Sequence, residues 1–151
     1  MSNAGRILLV DDSPLDAELV TEALAELKIE TDLLHLRDGA SALDYLHRRG
    51  RFAGRQSDQP VVVFLDLNLP LMDGFQVLEG IKGDPHLKRI PVVMITGSRE
   101  PHDVRRSYEL GVNSLLLKPV ELDDFLARIR SAAAMWTIIN VPPPLRAVTG
   151  E

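Results

Sequence analysis

The chain has no cysteine, which removes a disulfide framework and every thiolate metal site and fits a reducing cytosol. It has no long hydrophobic run either: its apolar stretches fall far short of the roughly 20 residues that span a bilayer. The N-terminus, Met1-Ser2-Asn3-Ala4-Gly5, lacks a basic segment followed by an apolar one and is not a secretory signal. Positive charge is outnumbered by negative, 17 Lys and Arg against 22 Asp and Glu, and is scattered. With a formal net charge of -5 and a pI near 5.4, no basic stripe exists to follow a phosphate backbone, so nucleic-acid binding is not expected of this chain. These absences describe a cytoplasmic protein without a membrane segment.

What is present is a chain of 151 residues, about the size of one domain, with 45% hydrophobic residues, enough to cover both faces of a sheet. Short β-like runs alternate with helical patterns, the order of an α/β fold with a parallel sheet and helices on both faces. Strands are predicted over Arg6 to Asp11, Thr31 to Leu36, Val61 to Asp66, Pro91 to Thr96 and Ser114 to Leu117. The first, third and fourth are apolar almost throughout, as central strands should be, whereas the second is mixed and belongs nearer an edge.

Ser13-Pro14 opens a first helix, with Ser as cap and Pro at the first helical position, and Leu15, Leu19, Ala23 and Leu27 share its inward face. A second helix runs from about Gly39 to Arg49 with Leu43 and Leu46 inward, followed by a long polar loop from Arg51 to Gln59. The third begins near Gly74 and buries Phe75, Leu78 and Ile81. The fourth runs from Glu100-Pro101 to Leu110 and stops at Gly111. The fifth follows Pro119, with an acidic first turn and a buried stripe of Leu122, Phe125, Leu126 and Ile129.

Asp11-Asp12, Asp66 and Lys118 each lie at the end of an apolar run, so in a parallel sheet they meet on one edge. Carboxylates gathered there hold a hard divalent cation while one of them acts as a nucleophile, with a lysine to balance added negative charge. This pattern points to phosphoryl chemistry on an aspartate. Taken alone, Asp11-Asp12 is equally well a strand-end turn and helix cap, and Thr96-Gly97 a strand end and loop. The four histidines, His35, His47, His86 and His102, share no spacing, and Met72 and Met94 read as packing residues.

In this order and at these spacings, Asp11-Asp12, Asp66-Leu67-Asn68-Leu69-Pro70-Leu71-Met72-Asp73-Gly74, Thr96-Gly97 and Lys118-Pro119 resemble the receiver domains of two-component response regulators. The resemblance covers about Arg6 to Ala133. It implies a flavodoxin-like, doubly wound five-stranded parallel sheet in the order 2-1-3-4-5 with five helices. It further implies that Asp66 is the phosphoacceptor, that Mg²⁺ is held by Asp11, Asp12, Asp66 and the backbone carbonyl of Asn68, and that Thr96 and Lys118 contact the phosphoryl oxygens. On the same pattern Pro119 follows a cis peptide bond that turns Lys118 into the site, while Pro70, Asp73 and Gly74 shape the loop before the third helix.

One departure is Leu115, where receivers usually carry a Tyr or Phe that swings inward with Thr96. Signal then leaves through the helix-four loop or the oligomeric state. The implied role is a signalling receiver, not an enzyme beyond its own phosphorylation and dephosphorylation, with Asn68 and Ser98 as the side chains to test for setting the rate of the latter. The implied partner is a sensor histidine kinase. A long loop before the phosphoacceptor strand, a Leu-Asp-Asp-Phe start to helix five and an apolar C-terminal arm resemble the single-domain receivers of bacterial phytochrome kinases, which makes a bacteriophytochrome a candidate partner.

The chain divides into a tail, 1–5, a receiver domain, 6–134, and an extension, 135–151. Met135-Trp136-Thr137-Ile138-Ile139-Asn140-Val141 must be buried against its own domain or a second copy, and a lone Trp followed by two Ile has the composition of a contact anchor, favouring a homodimer. Two other readings share features with this one. A haloacid-dehalogenase-like phosphatase would need an acid/base Asp where Asn68 stands and its nucleophile on the first strand. A phosphorylation-independent dimerisation scaffold would explain Leu115 and the tail, but not the acidic site. An FMN carrier is disfavoured by the acidic turn after the first strand.

Overall fold

The computed structural model describes residues 5–28, 31–119 and 121–143; most of the N-terminal tail and positions 144–151 of the extension lie outside them. Five strands, β1 (Gly5–Val10), β2 (Thr31–Leu36), β3 (Val62–Asp66), β4 (Val92–Thr96) and β5 (Ser114–Leu117), form one sheet in the order β2-β1-β3-β4-β5. Every pairing is parallel. The helices are α1 (Pro14–Glu26), α2 (Gly39–His47), α3 (Gly74–Lys82), α4 (Pro101–Glu109) and α5 (Leu122–Ala134). Among the described residues no helix is long and apolar enough to cross a membrane.

The two-residue period of the strands divides the core. Ile7, Leu9, Phe64, Val93 and Ile95 point to one face, where α1 and α5 cover them with Val20, Ala23, Phe125 and Ile129. Leu8, Val10, Val63, Leu65 and Met94 point to the other, under Leu43 and Leu46 of α2 and Phe75, Leu78 and Ile81 of α3. All five residues of β3 and of β4 are buried. This double coverage is why these strands read as unbroken apolar runs. The mixed β2 lies at the edge.

Two expected core residues are not in the core. Leu15 and Leu122 are 62% and 51% exposed. Each lies in the first turn of a helix that starts beyond the C-terminal ends of the strands, where no sheet lies beneath it. The inward face of α1 is instead built on Val20, Ala23 and Leu24.

Local chemistry explains the helix starts that frame the sheet edge. The Ser13 hydroxyl accepts from the Asp16 amide at 3.2 Å, with Pro14 at the first helical position. Asp73 and Gln76 form a reciprocal capping box, each side chain bonded to the other's backbone amide at 3.0 Å. At Gly74 an added Cβ would lie 2.5 Å from the Asp66 carbonyl oxygen and 2.7 Å from the Leu67 Cα. Only glycine lets α3 begin so close to the end of β3.

The polar segment after α2 starts with a short 3₁₀ turn, Gly50–Phe52, and Arg55 orders the rest. Its guanidinium lies 3.8 Å from the centre of the Tyr45 ring and donates to the carbonyls of Tyr45, Ser57 and Asp58 and to Gln59 Oε1. At the other end, α5 runs into a π-helical turn, Met135–Ile139, closed by the Asn140 amide on the Met135 carbonyl at 2.7 Å. Trp136 packs back on the α1/α5 core.

Candidate functional site

The parallel sheet delivers β1, β3, β4 and β5 to one edge with their C-terminal ends together, and the motifs meet there. Asp11 follows β1, Asp66 ends β3, Thr96 ends β4 and Lys118 follows β5. Asp11, Asp66 and Thr96 are buried, while Asp12 is exposed at the rim. Asp11, Asp12 and Asp66 each present a carboxylate oxygen within 4.8 Å of the others. Oxygen donors on that scale, open to solvent on the Asp12 side, suit a hard divalent cation that keeps some of its water.

The backbone fixes these groups. The Asp11 carboxylate accepts from the Ser13 amide at 2.9 Å, and that of Asp66 from the Asn68 amide at 3.2 Å. Asn68 lines an open cleft together with Asp12, Asp73, Phe75 and Asp103. The Lys118 amide donates to the Thr96 carbonyl at 2.8 Å, which ties the ends of β4 and β5. The Thr96 hydroxyl accepts from the Ser98 amide at 3.0 Å.

The Lys118 ammonium stands 3.6 Å from Asp66, 3.9 Å from Asp11 and 2.8 Å from Asp16. No peptide bond among the described residues is cis, so the Lys118–Pro119 bond is trans, contrary to the expectation from the family pattern. Trans is the intrinsic preference of the amide, and the long lysine side chain reaches the carboxylates from it.

Burial dominates the electrostatics. It pushes the Asp11 carboxyl up to about 7, helped by the charge on Asp66 and opposed by the Ser13 amide and Lys118. The Asp66 carboxyl is also raised, by burial first, against the pull of Lys118 and the Asn68 amide. Burial acts downward on the Lys118 ammonium, but the hydrogen bond to Asp16 and the charges of Asp66 and Asp11 outweigh it and leave it raised. One lysine does not offset the negative charge that these neighbouring carboxylates carry when ionised, and a divalent cation held by Asp11, Asp12 and Asp66 would supply the missing positive charge.

Two participants gave no signal in the sequence. Asp16 holds the shortest contact to Lys118 but reads there as an ordinary acidic residue in a first helical turn. His35 on β2 places its Nε2 at 2.5 Å from the Asp11 carbonyl oxygen, a contact that depends on a neighbouring strand and not on spacing.

A flavodoxin-like sheet with an acidic, cation-ready edge, a buried aspartate and a lysine within reach defines the class of phospho-receiver folds. Residues 7–130 match the response regulator receiver domain family, and the chain belongs to it. It is 44% identical over 130 residues to the response regulator Rcp1 of Synechocystis sp., covering 86% of this chain and 87% of that protein. The Mn²⁺-bound structure of Rcp1 superposes with a TM-score of 0.86 at 42% identity, over 92% of this chain and 99% of that one. The phosphorylated cyanobacterial phytochrome response regulator RcpA gives a TM-score of 0.88 at 36% identity, over 94% and 99%. The bacteriophytochrome response regulator AtBRR gives 0.73 at 43% identity, over 97% and 98%. As a receiver, the chain is a signalling protein, and its acidic trio is arranged so that it could hold a divalent metal ion.

Proposed function

We propose that Asp66 accepts a phosphoryl group from the phosphohistidine of a sensor kinase. One Asp66 carboxylate oxygen forms the new P–O bond as the P–N bond breaks, and the histidine nitrogen keeps the electron pair. Mg²⁺, held by Asp11, Asp12, Asp66 and the Asn68 carbonyl, offsets the negative charge of donor and acceptor. Thr96 and Lys118 take the phosphoryl oxygens, the first through its hydroxyl and the second as a compact cation. The observation that carries this reading is the convergence of the Asp11, Asp12 and Asp66 carboxylates with the Lys118 ammonium 3.6 Å from Asp66.

That RcpA and AtBRR are phytochrome response regulators supports a bacteriophytochrome-type histidine kinase as the partner, and the chain is read as working in the cytoplasm. The output is altered binding or oligomerisation, with the extension from Met135 as the dimerisation arm and no role for nucleic acid. The phosphatase reading fits less well, because Asp66 lies on the third strand and the Asn68 carboxamide does not titrate and so cannot serve as the acid/base that reading needs.

Intact mass after incubation with acetyl phosphate and Mg²⁺, for the wild type and Asp66→Asn, tests the proposal. One Mg²⁺-dependent phosphoryl adduct, absent from the mutant, is the expected result. An adduct retained in Asp66→Asn, or none in the wild type with either acetyl phosphate or a phosphorylated kinase, overturns it.

A further inference from the structure

The shortest contact of the Lys118 ammonium is not to the acidic trio. Its nitrogen lies 2.8 Å from the Asp16 carboxylate, against 3.6 Å to Asp66 and 3.9 Å to Asp11. Asp16 is outside the metal-binding trio and belongs to the first turn of α1, where the Ser13 hydroxyl fixes its backbone amide at 3.2 Å. Both side chains are only about a quarter exposed, 23% for Asp16 and 25% for Lys118. A lysine has four rotatable side-chain bonds and three donors on its nitrogen. One donor taken up by Asp16 leaves two more on the same nitrogen, which stands 3.6 Å from Asp66 and 3.9 Å from Asp11.

From this geometry we infer that Asp16 is a positioning residue for phosphoryl transfer, holding the Lys118 ammonium where the incoming phosphoryl oxygens arrive. This rests on the receiver reading above. A flexible cation that must find its place during the reaction stabilises the transferring group less well than one already held there. Because α1 carries the holding carboxylate, the position of that helix and the readiness of Lys118 are linked. The placement also accounts for a fourth carboxylate beside a site that already has three.

The test is a double-mutant cycle on the full chain, with acetyl phosphate and Mg²⁺ as reagents and intact mass as the readout. Asp16→Ala and the isosteric Asp16→Asn are expected to slow adduct formation on the order of tenfold, with Mg²⁺ affinity by calorimetry changed less than about twofold. Asp16→Glu should recover much of the rate. In a Lys118→Ala background, Asp16→Ala should cause no further loss, because its effect acts through the lysine.

Rates at or above wild type in Asp16→Asn overturn the inference, as does a loss that adds fully to that of Lys118→Ala. A wild type that forms no adduct with either acetyl phosphate or a phosphorylated kinase is a different result, since it removes the phosphoryl-acceptor reading of Asp66 itself.

Discussion

The Ser98 hydroxyl donates a 2.6 Å hydrogen bond to Asp103, and the Ser98 amide donates to the Thr96 hydroxyl at 3.0 Å. A chain of hydrogen bonds therefore runs from the end of β4 to the first turn of α4. The Ser98 contact also holds the Asp103 carboxyl below its usual range. The helix it reaches is weakly anchored: Ser107 is its one buried residue, with a hydroxyl 3.4 Å from the Met94 sulfur. At the usual aromatic position stands Leu115, half-buried against the α2/α3 core.

Ser98→Ala should loosen the start of α4 and leave the sheet intact. Backbone amides around residues 100–105 are expected to exchange about fivefold or more faster, the size of effect that one net hydrogen bond commands. Hydrogen exchange read by mass spectrometry checks this. Unchanged protection would mean that the contact does not secure α4.

Much of this architecture was legible beforehand because it rests on local rules. The uninterrupted apolar β3 and β4, the Ser13-Pro14 helix start and the acidic and cationic strand ends each follow from a few adjacent residues. What escaped depends on neighbours distant in sequence. The exposure of Leu15 and Leu122 depends on where the sheet ends, and the hold of Asp16 on Lys118 joins residues 102 positions apart. The trans bond before Pro119 is a case where a family pattern implied one isomer and the chain adopts the other.

Gly74→Ala should be among the most damaging small substitutions. The new methyl group would meet backbone at 2.5 and 2.7 Å, and neither the Asp66 carbonyl nor the Leu67 Cα can yield without moving the phosphoacceptor strand. A loss of about 1–3 kcal/mol is expected, with slower phosphorylation of Asp66. Urea unfolding together with intact mass checks both.

Arg55→Lys should separate stability from signalling. Lysine keeps the charge but loses the planar fork that binds the Tyr45, Ser57 and Asp58 carbonyls and stacks on the Tyr45 ring. A loss of roughly 1–3 kcal/mol, seen as a lower urea midpoint, is expected without change in phosphorylation rate.

Stability without metal should fall as pH rises. The Asp11 carboxyl goes from an ordinary value of 3.8 to about 7 in the fold. Its contribution is therefore fully present below 3.8 and is lost as pH climbs through about 7. Each pKa unit corresponds to about 1.4 kcal/mol, so even a third of that shift gives a measurable slope. The Tm of metal-free protein is expected to decline between about pH 5 and 8, with Mg²⁺ removing most of the decline and Asp11→Asn flattening it. A metal-free Tm that rises over this range would contradict the direction.

The extension divides its apolar residues between two destinations. Trp136 packs on its own α1/α5 core, whereas Met135, Ile138, Ile139 and Val141 are 45%, 57%, 67% and 88% exposed. Large aliphatic side chains presented together at the end of α5 form a contact surface when a second copy covers them. Changing Ile138 and Ile139 together to Asp puts desolvated charge into that contact without touching the core or the acidic edge. The expected result is a shift from dimer to monomer in sedimentation, with unchanged phosphorylation of Asp66. A double mutant that sediments as the wild type does would place the dimer contact elsewhere or remove it, and the exposed isoleucines would then need another partner.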